Sequence, residues 1–375
     1  MNAMLSRILG GRNISPVDEF EIFEGGNPTA LNILIFTEHI NATYYISFDI
    51  PLRRLHSSGN VNFAAVSQSK VKTSGAGCWE RWARVFRPNV VVLTRYGLPH
   101  GPDILDFFRR QEIPVVYHID DNLLEIPDSL GAEIRQRQGA DDVVAARRYL
   151  LANCDLIYVS TDYLAALLQQ SFPTQQVFHG IYAPYMGDDI QTARHPGRRY
   201  PVLGYMGSKG HQQDLDLVVP TIQRLLDERV ELEFEVFGTV KMPLQLERFG
   251  QRARSHSVQK SYVEFLSRLS ELNWTVGLAP LVDTPFNRCK APTKFIEYSA
   301  CRIPVIASDS LPYSNVIPKD GGVLVKHDWH SPISEYLDHP DVRKRATENA
   351  RNYCLSAFPV QALADQLTYI FRRFA

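Results

Sequence analysis

The stretch that decides the fold is FNRCKAPTKFIEYSACRIPVIAS, residues 286–308. Pro292 suits the first turn of a helix, where its missing N–H costs nothing, and the pattern behind it predicts a helix over Thr293–Cys301. The next run, Ile303–Ser308, is almost wholly apolar, as in a parallel strand covered by helices on both faces. A helix that leads directly into a buried strand predicts an α/β domain.

The charges in this stretch indicate an anion site. Lys290, Lys294 and Glu297 are spaced i, i+4 and i+7, so they lie on one face of the helix or at its N-terminal end. Two ammonium groups at a helix N-terminus oppose the macrodipole unless an anion such as a diphosphate lies there. A carboxylate one turn further along could accept hydrogen bonds from a ribose diol. The alternative is a solvated Lys–Glu pair on a surface helix, and the apolar Ile296 and Ala300 favour the functional interpretation.

The same alternation of apolar runs and helical stretches extends in both directions along the chain. The predicted strands are Asn32–Phe36, Val61–Val66, Val90–Thr94, Pro114–His118, Leu156–Ser160, Val177–His179, Val202–Met206, Leu232–Phe237, Trp274–Ala279, Ile303–Ser308 and Gly322–Val325. The predicted helices include Asp141–Asn153, Asp162–Ser171, Leu215–Asp227, Ser261–Leu272, Thr293–Cys301, Pro340–Leu355 and an amphipathic segment from Val360. The pattern predicts an α/β protein with doubly wound domains.

The 375 residues suffice for two such domains. A polar segment that carries Pro196 and Gly197, residues 188–200, suits a linker between them. The predicted division is an N-terminal extension (1–30), a first domain (31–195), a second domain (196–356) and a C-terminal helix (357–375). We expect the two domains to face each other across a cleft, with ligands beyond the carboxyl ends of their strands.

A second motif, LGYMGSKGH at residues 203–211, joins a predicted strand to a predicted helix. Gly207 allows the backbone to approach a ligand closely, and the N-terminus of the helix beyond offers N–H groups to phosphate oxygens. The alternative is a tight turn between a strand and a helix that binds no ligand, because a glycine turn alone is weak evidence.

A third motif, VVYHIDDN at residues 115–122, ends a predicted strand in a polar cluster. His118, Asp120 and Asp121 could orient a sugar hydroxyl or handle a proton. A metal site is a weaker interpretation, because no His or Cys follows at companion spacing. An Asp helix cap beside a core histidine explains the motif equally well, so both interpretations remain open.

The composition excludes several classes of protein. A formal net charge of −1 does not favour nucleic acid as a partner. Five scattered cysteines without CxxC spacing form neither a disulfide framework nor a zinc site, which is typical of a reducing cytosol. The apolar runs are far shorter than the roughly 20 residues of a membrane span. We therefore expect a cytoplasmic protein, and any membrane association to be peripheral, at the inner face.

Together, and in their order along the chain, the three motifs resemble those of retaining glycosyltransferases of the GT-B fold. The resemblance is to the family 4 group that builds bacterial surface polysaccharides, and it covers about residues 31–330. It implies a nucleotide sugar (UDP-, GDP- or dTDP-linked) as donor and a glycan or lipid-linked acceptor. Because Lys290, Lys294 and helix N-termini can offset the charge of the leaving phosphate, we expect no cofactor and no metal. The resemblance also implies that the last helix crosses back to the N-terminal domain.

The resemblance assigns roles to residues of this chain. Glu297 is similar to the glutamate that holds the donor ribose, and His118 to a histidine near the transferred sugar. It implies His118, Asp121 and Lys294 as catalytic residues. The residues that it implies for donor binding are Gly207, Ser208, Lys209, His211, Gly238, Lys290, Ala291, Pro292, Thr293, Lys294 and Glu297.

The sequence departs from the family pattern in three places. Cys289 lies where a second glutamate is usual, and Lys209 alone stands in a loop that usually carries both Arg and Lys. The loop at residues 37–45 lacks the paired glycines of the family. The leading hypothesis is sugar transfer with retention. The alternatives are a sugar-nucleotide epimerase or hydrolase of the same fold, and a catalytically silent protein that binds a nucleotide sugar or a partner transferase.

Overall fold

The computed structural model describes residues 20–23, 27, 29–187, 190, 198–257 and 261–374. Most of the predicted extension (1–30) and of the predicted linker (188–200) therefore lies outside the described residues. The chain forms two compact units. The first contains the residues up to Ile126, Arg135–Pro184 and those from Val360 onward, and the second contains Pro127–Ile134 and Tyr185–Pro359. Residues 127–134 thus lie with the second unit, although they come from the middle of the predicted first domain.

The strands of the described residues form two sheets. The first comprises β1 (Phe20–Phe23), β2 (Leu31–Thr37), β3 (Val61–Ser67), β4 (Val90–Thr94), β5 (Val115–Ile119), β6 (Leu156–Val159) and β7 (Val177–His179). The second comprises β8 (Val202–Gly207), β9 (Glu233–Gly238), β10 (Ala253–His256), β11 (Val276–Ala279), β12 (Val305–Ser308) and β13 (Val323–Val325). Every predicted strand is confirmed, with ends that differ by about two residues at most.

The helices connect the strands in each unit. They are α1 (Ala42–Tyr44, followed by a π-helical turn), α2 (Ile50–Ser57), α3 (Gln68–Ser74), α4 (Cys78–Phe86), α5 (Gly101–Arg110), α6 (Ala132–Gln138), α7 (Asp141–Asn153), α8 (Asp162–Ser171), α9 (Gln212–Asp216), α10 (Val219–Glu228), α11 (Tyr262–Leu272), α12 (Pro285–Arg288), α13 (Thr293–Ala300), α14 (Leu311–Ser314), α15 (His330–Asp338), α16 (Pro340–Ala357) and α17 (Val360–Arg372).

The first sheet has the order β1-β3-β2-β4-β5-β6-β7. Its strands pair in parallel from β3 to β7, and β1 adds to the edge by antiparallel pairing with β3. The extension predicted over residues 1–30 therefore contains a strand of this sheet. Helix α17 belongs to the same unit, where Leu367 and Ile370 pack in one core with Ile33 and Phe63.

The second sheet is parallel throughout, with the order β10-β9-β8-β11-β12-β13. Counted along the chain, this is the 3-2-1-4-5-6 order of a doubly wound Rossmann sheet. The order reverses between β8 and β11, so loops on either side of that point diverge and leave space for a ligand at the carboxyl edge.

One predicted helix differs from the structure. The stretch predicted as a single helix over Leu215–Asp227 is divided into α9 and α10. Pro220 lies in the first turn of α10, where it has no N–H to continue a preceding helix and its ring would crowd the carbonyl four residues earlier. Within the described part of the chain, no helix combines the length and apolar character of a membrane span.

Candidate functional site

The predicted donor residues gather at the carboxyl edge of the second sheet. Gly207 ends β8 and residues 208–211 follow it, Gly238 ends β9, and residues 280–297 follow β11. Because β8 lies between β9 and β11, these loops are neighbours. They flank the point where the strand order reverses, which is where doubly wound sheets bind ligands.

Two glycines shape the floor of this site. The carbonyl oxygen of Gly207 accepts hydrogen bonds from the backbone N–H groups of Thr239 (3.0 Å) and Val240 (3.1 Å). Gly238 makes this turn with φ +124°, and a Cβ on it would lie 2.2 Å from the Gly207 oxygen. Gly238 is therefore required for the close approach of the two strand ends, and its role in donor binding stays a prediction.

We expect Gly238→Ala to destabilise the second unit by at least about 2 kcal/mol, because the methyl group collides with backbone and the positive φ is strained. Urea denaturation measures the loss. Gly250→Ala is the matched control, since Gly250 also has a positive φ (+56°) but no atom lies within 4 Å of the added Cβ. Equal losses in the two variants would show that the contact with Gly207 does not matter.

Lys294 lies in the first turn of α13 with only 8% of its surface exposed. Its ammonium group is 5.4 Å from the centre of the Tyr205 ring. Burial lowers the pKa of Lys294 to about 8; Asp214 opposes this shift and the neighbouring Lys290 adds to it. Pro292, the N-cap, provides no side-chain hydrogen bond to the helix start. A buried cation at an N-terminus without a side-chain cap suits an anionic ligand.

Glu297 lies one turn further along α13, where the hydroxyl of Tyr262 donates a hydrogen bond to its Oε1 at 2.9 Å. Burial raises the pKa of Glu297 to about 7, although Tyr262 and Lys294 both act to lower it. Tyr262 begins α11, which Ser261 and Glu264 cap reciprocally. The sequence analysis missed Tyr262, because the capping pattern indicates where the helix starts but not which carboxylate the tyrosine contacts.

His211 and Asp214 form a second pair beside the glycine turn. The Nδ1 atom of His211 lies 2.7 Å from Oδ2 of Asp214. The other carboxylate oxygen accepts hydrogen bonds from the Val282 N–H at 2.9 Å and from the side-chain amide of Asn287 at 3.3 Å. Asp214 therefore ties the loop after β8 to the loop after β11.

The remaining predicted donor residues line the same loops. Ser208 and Lys209 are exposed, and Lys209 donates to Glu133 at 2.6 Å. The ammonium group of Lys290 lies 4.8 Å from the centre of the Phe286 ring. The N-terminal end of α13 is completed by partly or fully buried residues: Ala291, Pro292 and Thr293.

Cys289 is fully buried, and its thiol donates to the carbonyl oxygen of Pro285 at 3.3 Å. The side chain at this position therefore contacts the backbone of α12. It contributes no negative charge where the resemblance would place a glutamate.

A separate charged cluster lies at the carboxyl edge of the first sheet. Arg95, directly after β4, contacts Asp120 at 2.9 Å, Asp121 at 3.3 Å and Glu38 at 3.5 Å. Thr43 donates a further hydrogen bond to Asp120 at 2.9 Å. Burial alone would raise the pKa of Asp120, but Arg95 and His118 outweigh that effect and lower it. Arg95 thus favours the ionised form of the Asp120 carboxylate.

His118 lies in the core of the first unit and is 2% exposed. Its Nδ1 is 2.8 Å from the Thr94 hydroxyl, and its ring contacts Phe48 and Tyr158, with centroids 4.9 Å apart in both cases. Burial lowers the pKa of His118 to about 4. This environment is that of a core histidine, so a catalytic role for His118 stays a prediction. Among the residues that the structure describes, no group of three or more His, Cys, Asp or Glu could hold a metal ion.

No protein-family model and no curated protein matches the sequence, so similarity is found at the level of structure. TarM matches with a TM-score of 0.52 and 12% identity over 75% of this chain and 54% of TarM. Sucrose-phosphate synthase from Thermosynechococcus elongatus matches with a TM-score of 0.63 and 13% identity over 92% of this chain and 99% of that protein. Anabaena HepE, in complex with UDP and glucose, matches with a TM-score of 0.63 and 10% identity over 92% and 100%.

This chain therefore spans little more than half of TarM but nearly the full length of the other two proteins. At these identities the likeness concerns the fold. Its two units with parallel sheets, and their match to these glycosyltransferase structures, give this chain the GT-B fold.

Proposed function

We propose that this chain is a retaining glycosyltransferase of the family 4 type, which transfers a sugar from a nucleoside diphosphate sugar to a glycan or lipid-linked acceptor in surface polysaccharide biosynthesis. The observation that carries the proposal is the arrangement on α13: a buried cation, Lys294, in the first turn, and a carboxylate, Glu297, one turn further along. HepE, which has the same fold, is in complex with UDP and glucose.

The donor is proposed to bind with its ribose diol on Glu297 and its diphosphate against Lys290, Lys294 and the start of α13. When the bond between the sugar C1 and the phosphate oxygen breaks, the diphosphate keeps the electron pair and gains negative charge. Preorganised ammonium groups in a partly buried site stabilise that charge. The lysines would do this without a metal ion.

The acceptor is proposed to bind at the carboxyl edge of the first sheet. Asp120 and Asp121, held by Arg95, would accept hydrogen bonds from its hydroxyl groups. The acceptor oxygen would form the new bond to the sugar C1 on the face from which the diphosphate leaves, and Asp121 would receive the proton of that hydroxyl. His118 is proposed to act indirectly, through the residues that contact the acceptor, because its own side chain is buried in the core beside Thr94.

We place the protein in the cytoplasm, bound peripherally at the inner face of the membrane when its acceptor is lipid-linked. The five cysteines support a reducing compartment, because all are buried and none of them is in a disulfide. One observation favours a second candidate, a catalytically silent protein that binds nucleotide sugars: the buried Cys289 supplies no carboxylate at its position.

A thermal-shift screen against nucleoside diphosphates and their sugars tests the proposal. A ligand present at 100 times its dissociation constant adds about 2.7 kcal/mol of stability, which is easily detected. We expect at least one of the uridine, guanosine or thymidine compounds to stabilise the wild type, and none to stabilise the double variant Lys294→Met/Glu297→Gln. Stabilisation of both proteins by the same compound would place the donor elsewhere, and stabilisation of neither would contradict the proposed function.

A further inference from the structure

The pair formed by His211 and Asp214 has the geometry of a histidine with a fixed tautomer. Asp214 is 3% exposed, and its three hydrogen-bond donors come from three different elements. With Val282 and Asn287 holding one carboxylate oxygen, the other is fixed opposite Nδ1 of His211. A carboxylate in this position keeps the Nδ1 proton on the imidazole, which leaves the lone pair or a second proton on Nε2.

His211 borders the proposed diphosphate site. The Cβ of His211 is 3.4 Å from where a Cβ on Gly207 would lie, and its carbonyl oxygen accepts a hydrogen bond from the Tyr205 hydroxyl at 3.1 Å. The ring of Tyr205 in turn contacts the ammonium group of Lys294. His211 therefore belongs to the same small cluster as the lysine that is proposed to bind phosphate.

The charged groups around His211 decide its protonation state. Burial and the nearby Lys294 lower the pKa of His211 to about 4; Lys290 acts in the same direction, whereas Asp214 opposes them. Without a bound anion, the imidazole is therefore neutral at pH 7. An anion between the lysines reverses the balance, because it offsets their positive charge and itself favours an imidazolium.

We propose that Asp214 is a positioning residue that holds His211 so that it takes up a proton when a diphosphate binds, and the imidazolium then joins Lys290 and Lys294 around the anion. This inference rests on the proposed function. The proton comes from solution and returns to it when the diphosphate leaves, and no covalent bond is made or broken. Without the anion, the site thereby avoids a third positive charge beside Lys290 and Lys294, and with the anion it gains one.

Calorimetric titration of the full chain with inorganic pyrophosphate, at pH 7 in two buffers with different protonation enthalpies, measures the protons taken up on binding. The titration of pyrophosphate itself is common to all variants, so differences between variants report on the protein. We expect His211→Gln and Asp214→Asn to take up fewer protons than the wild type and to bind at least about tenfold more weakly. Asp103→Asn is the matched control, since His100 and Asp103 form an exposed pair with the same spacing in the first unit.

His211→Gln tests the proton uptake even if Asp214→Asn folds poorly, because this variant keeps the hydrogen bonds that Asp214 accepts from Val282 and Asn287. Proton uptake equal to that of the wild type in His211→Gln would overturn the proposal. Loss of uptake in His211→Gln but not in a folded Asp214→Asn would overturn the role of Asp214. Failure of pyrophosphate to bind the wild type would also overturn the proposal as a whole. Failure of the proposed function is separate, because it is read from the nucleoside compounds.

Discussion

Replacing Lys294 by methionine is expected to weaken binding of the nucleoside diphosphate by about 100-fold and to leave the affinity for the bare nucleoside unchanged. Methionine fills a similar volume, so the packing against Tyr205 is kept while the charge is lost. A charge-assisted contact to phosphate contributes about 1.5–3 kcal/mol, which sets the size of the effect. Calorimetry with nucleoside and nucleoside diphosphate measures both affinities.

The pH dependence of the wild type gives a second view of the same contact. Because the pKa of Lys294 is lowered to about 8, its ammonium form dominates below pH 8 and is lost above it. Diphosphate affinity should therefore fall as the pH rises through 8. The fall should be smaller in Lys294→Met, which keeps only the proton uptake proposed for His211. Lys344→Met, a change on the exposed surface of α16, is the control. A general loss of nucleoside affinity in Lys294→Met would mean that the lysine supports the fold of the site rather than the phosphates.

Replacing Glu297 by glutamine is expected to weaken nucleoside binding by about 10- to 150-fold at pH 8, because hydrogen bonds to a charged carboxylate are lost. With a pKa raised by burial to about 7, Glu297 is protonated below pH 7 and ionised above it. Wild-type affinity for the nucleoside should therefore rise as the pH increases through 7, whereas Glu297→Gln should show no such rise.

The sugar of the nucleoside identifies what Glu297 contacts. The wild type should prefer the ribonucleoside to its 2′-deoxy counterpart, and Glu297→Gln should lose most of this preference. Glu271→Gln, which changes an exposed carboxylate paired with Arg268 on α11, should behave as the wild type. An unchanged preference for ribose in Glu297→Gln would show that Glu297 does not contact the ribose.

The sequence predicts the α/β framework well because buried parallel strands are apolar throughout. Helices α7 and α8 begin and end at the predicted residues, Asp141–Asn153 and Asp162–Ser171. β1 and β10 were not predicted, since Phe20–Phe23 is short and Ala253–His256 carries polar residues that do not form an apolar run. These segments are strands because they pair with a neighbouring strand. The local sequence pattern does not show that pairing.

The candidate site was predictable only where its residues are close together in the sequence. Lys290, Lys294 and Glu297 are on or beside one helix, so their spacing was sufficient. Tyr262 contacts Glu297 from 35 residues away. Arg95 follows β4 in a left-handed conformation, φ +54°, which the arginine itself does not indicate in the sequence.

His118 shows a limit of a different kind. Its motif fitted both a sugar-binding histidine and a core histidine, and the choice depends on what covers β5. Neighbouring strands on both sides and the rings of Phe48 and Tyr158 enclose it. Those neighbours lie far from His118 in the sequence, so the local motif does not contain them.

A nucleotide sugar is proposed to be turned over at helix α13. The most direct measurement is release of nucleoside diphosphate from UDP-, GDP- and dTDP-linked glucose by the wild type and by Lys294→Met, assayed side by side with a mixture of glycan acceptors. We predict release from at least one donor by the wild type, and a loss of most of that release in the variant. Equal release by the two proteins would contradict the site, and binding of a donor without release would contradict the transfer reaction.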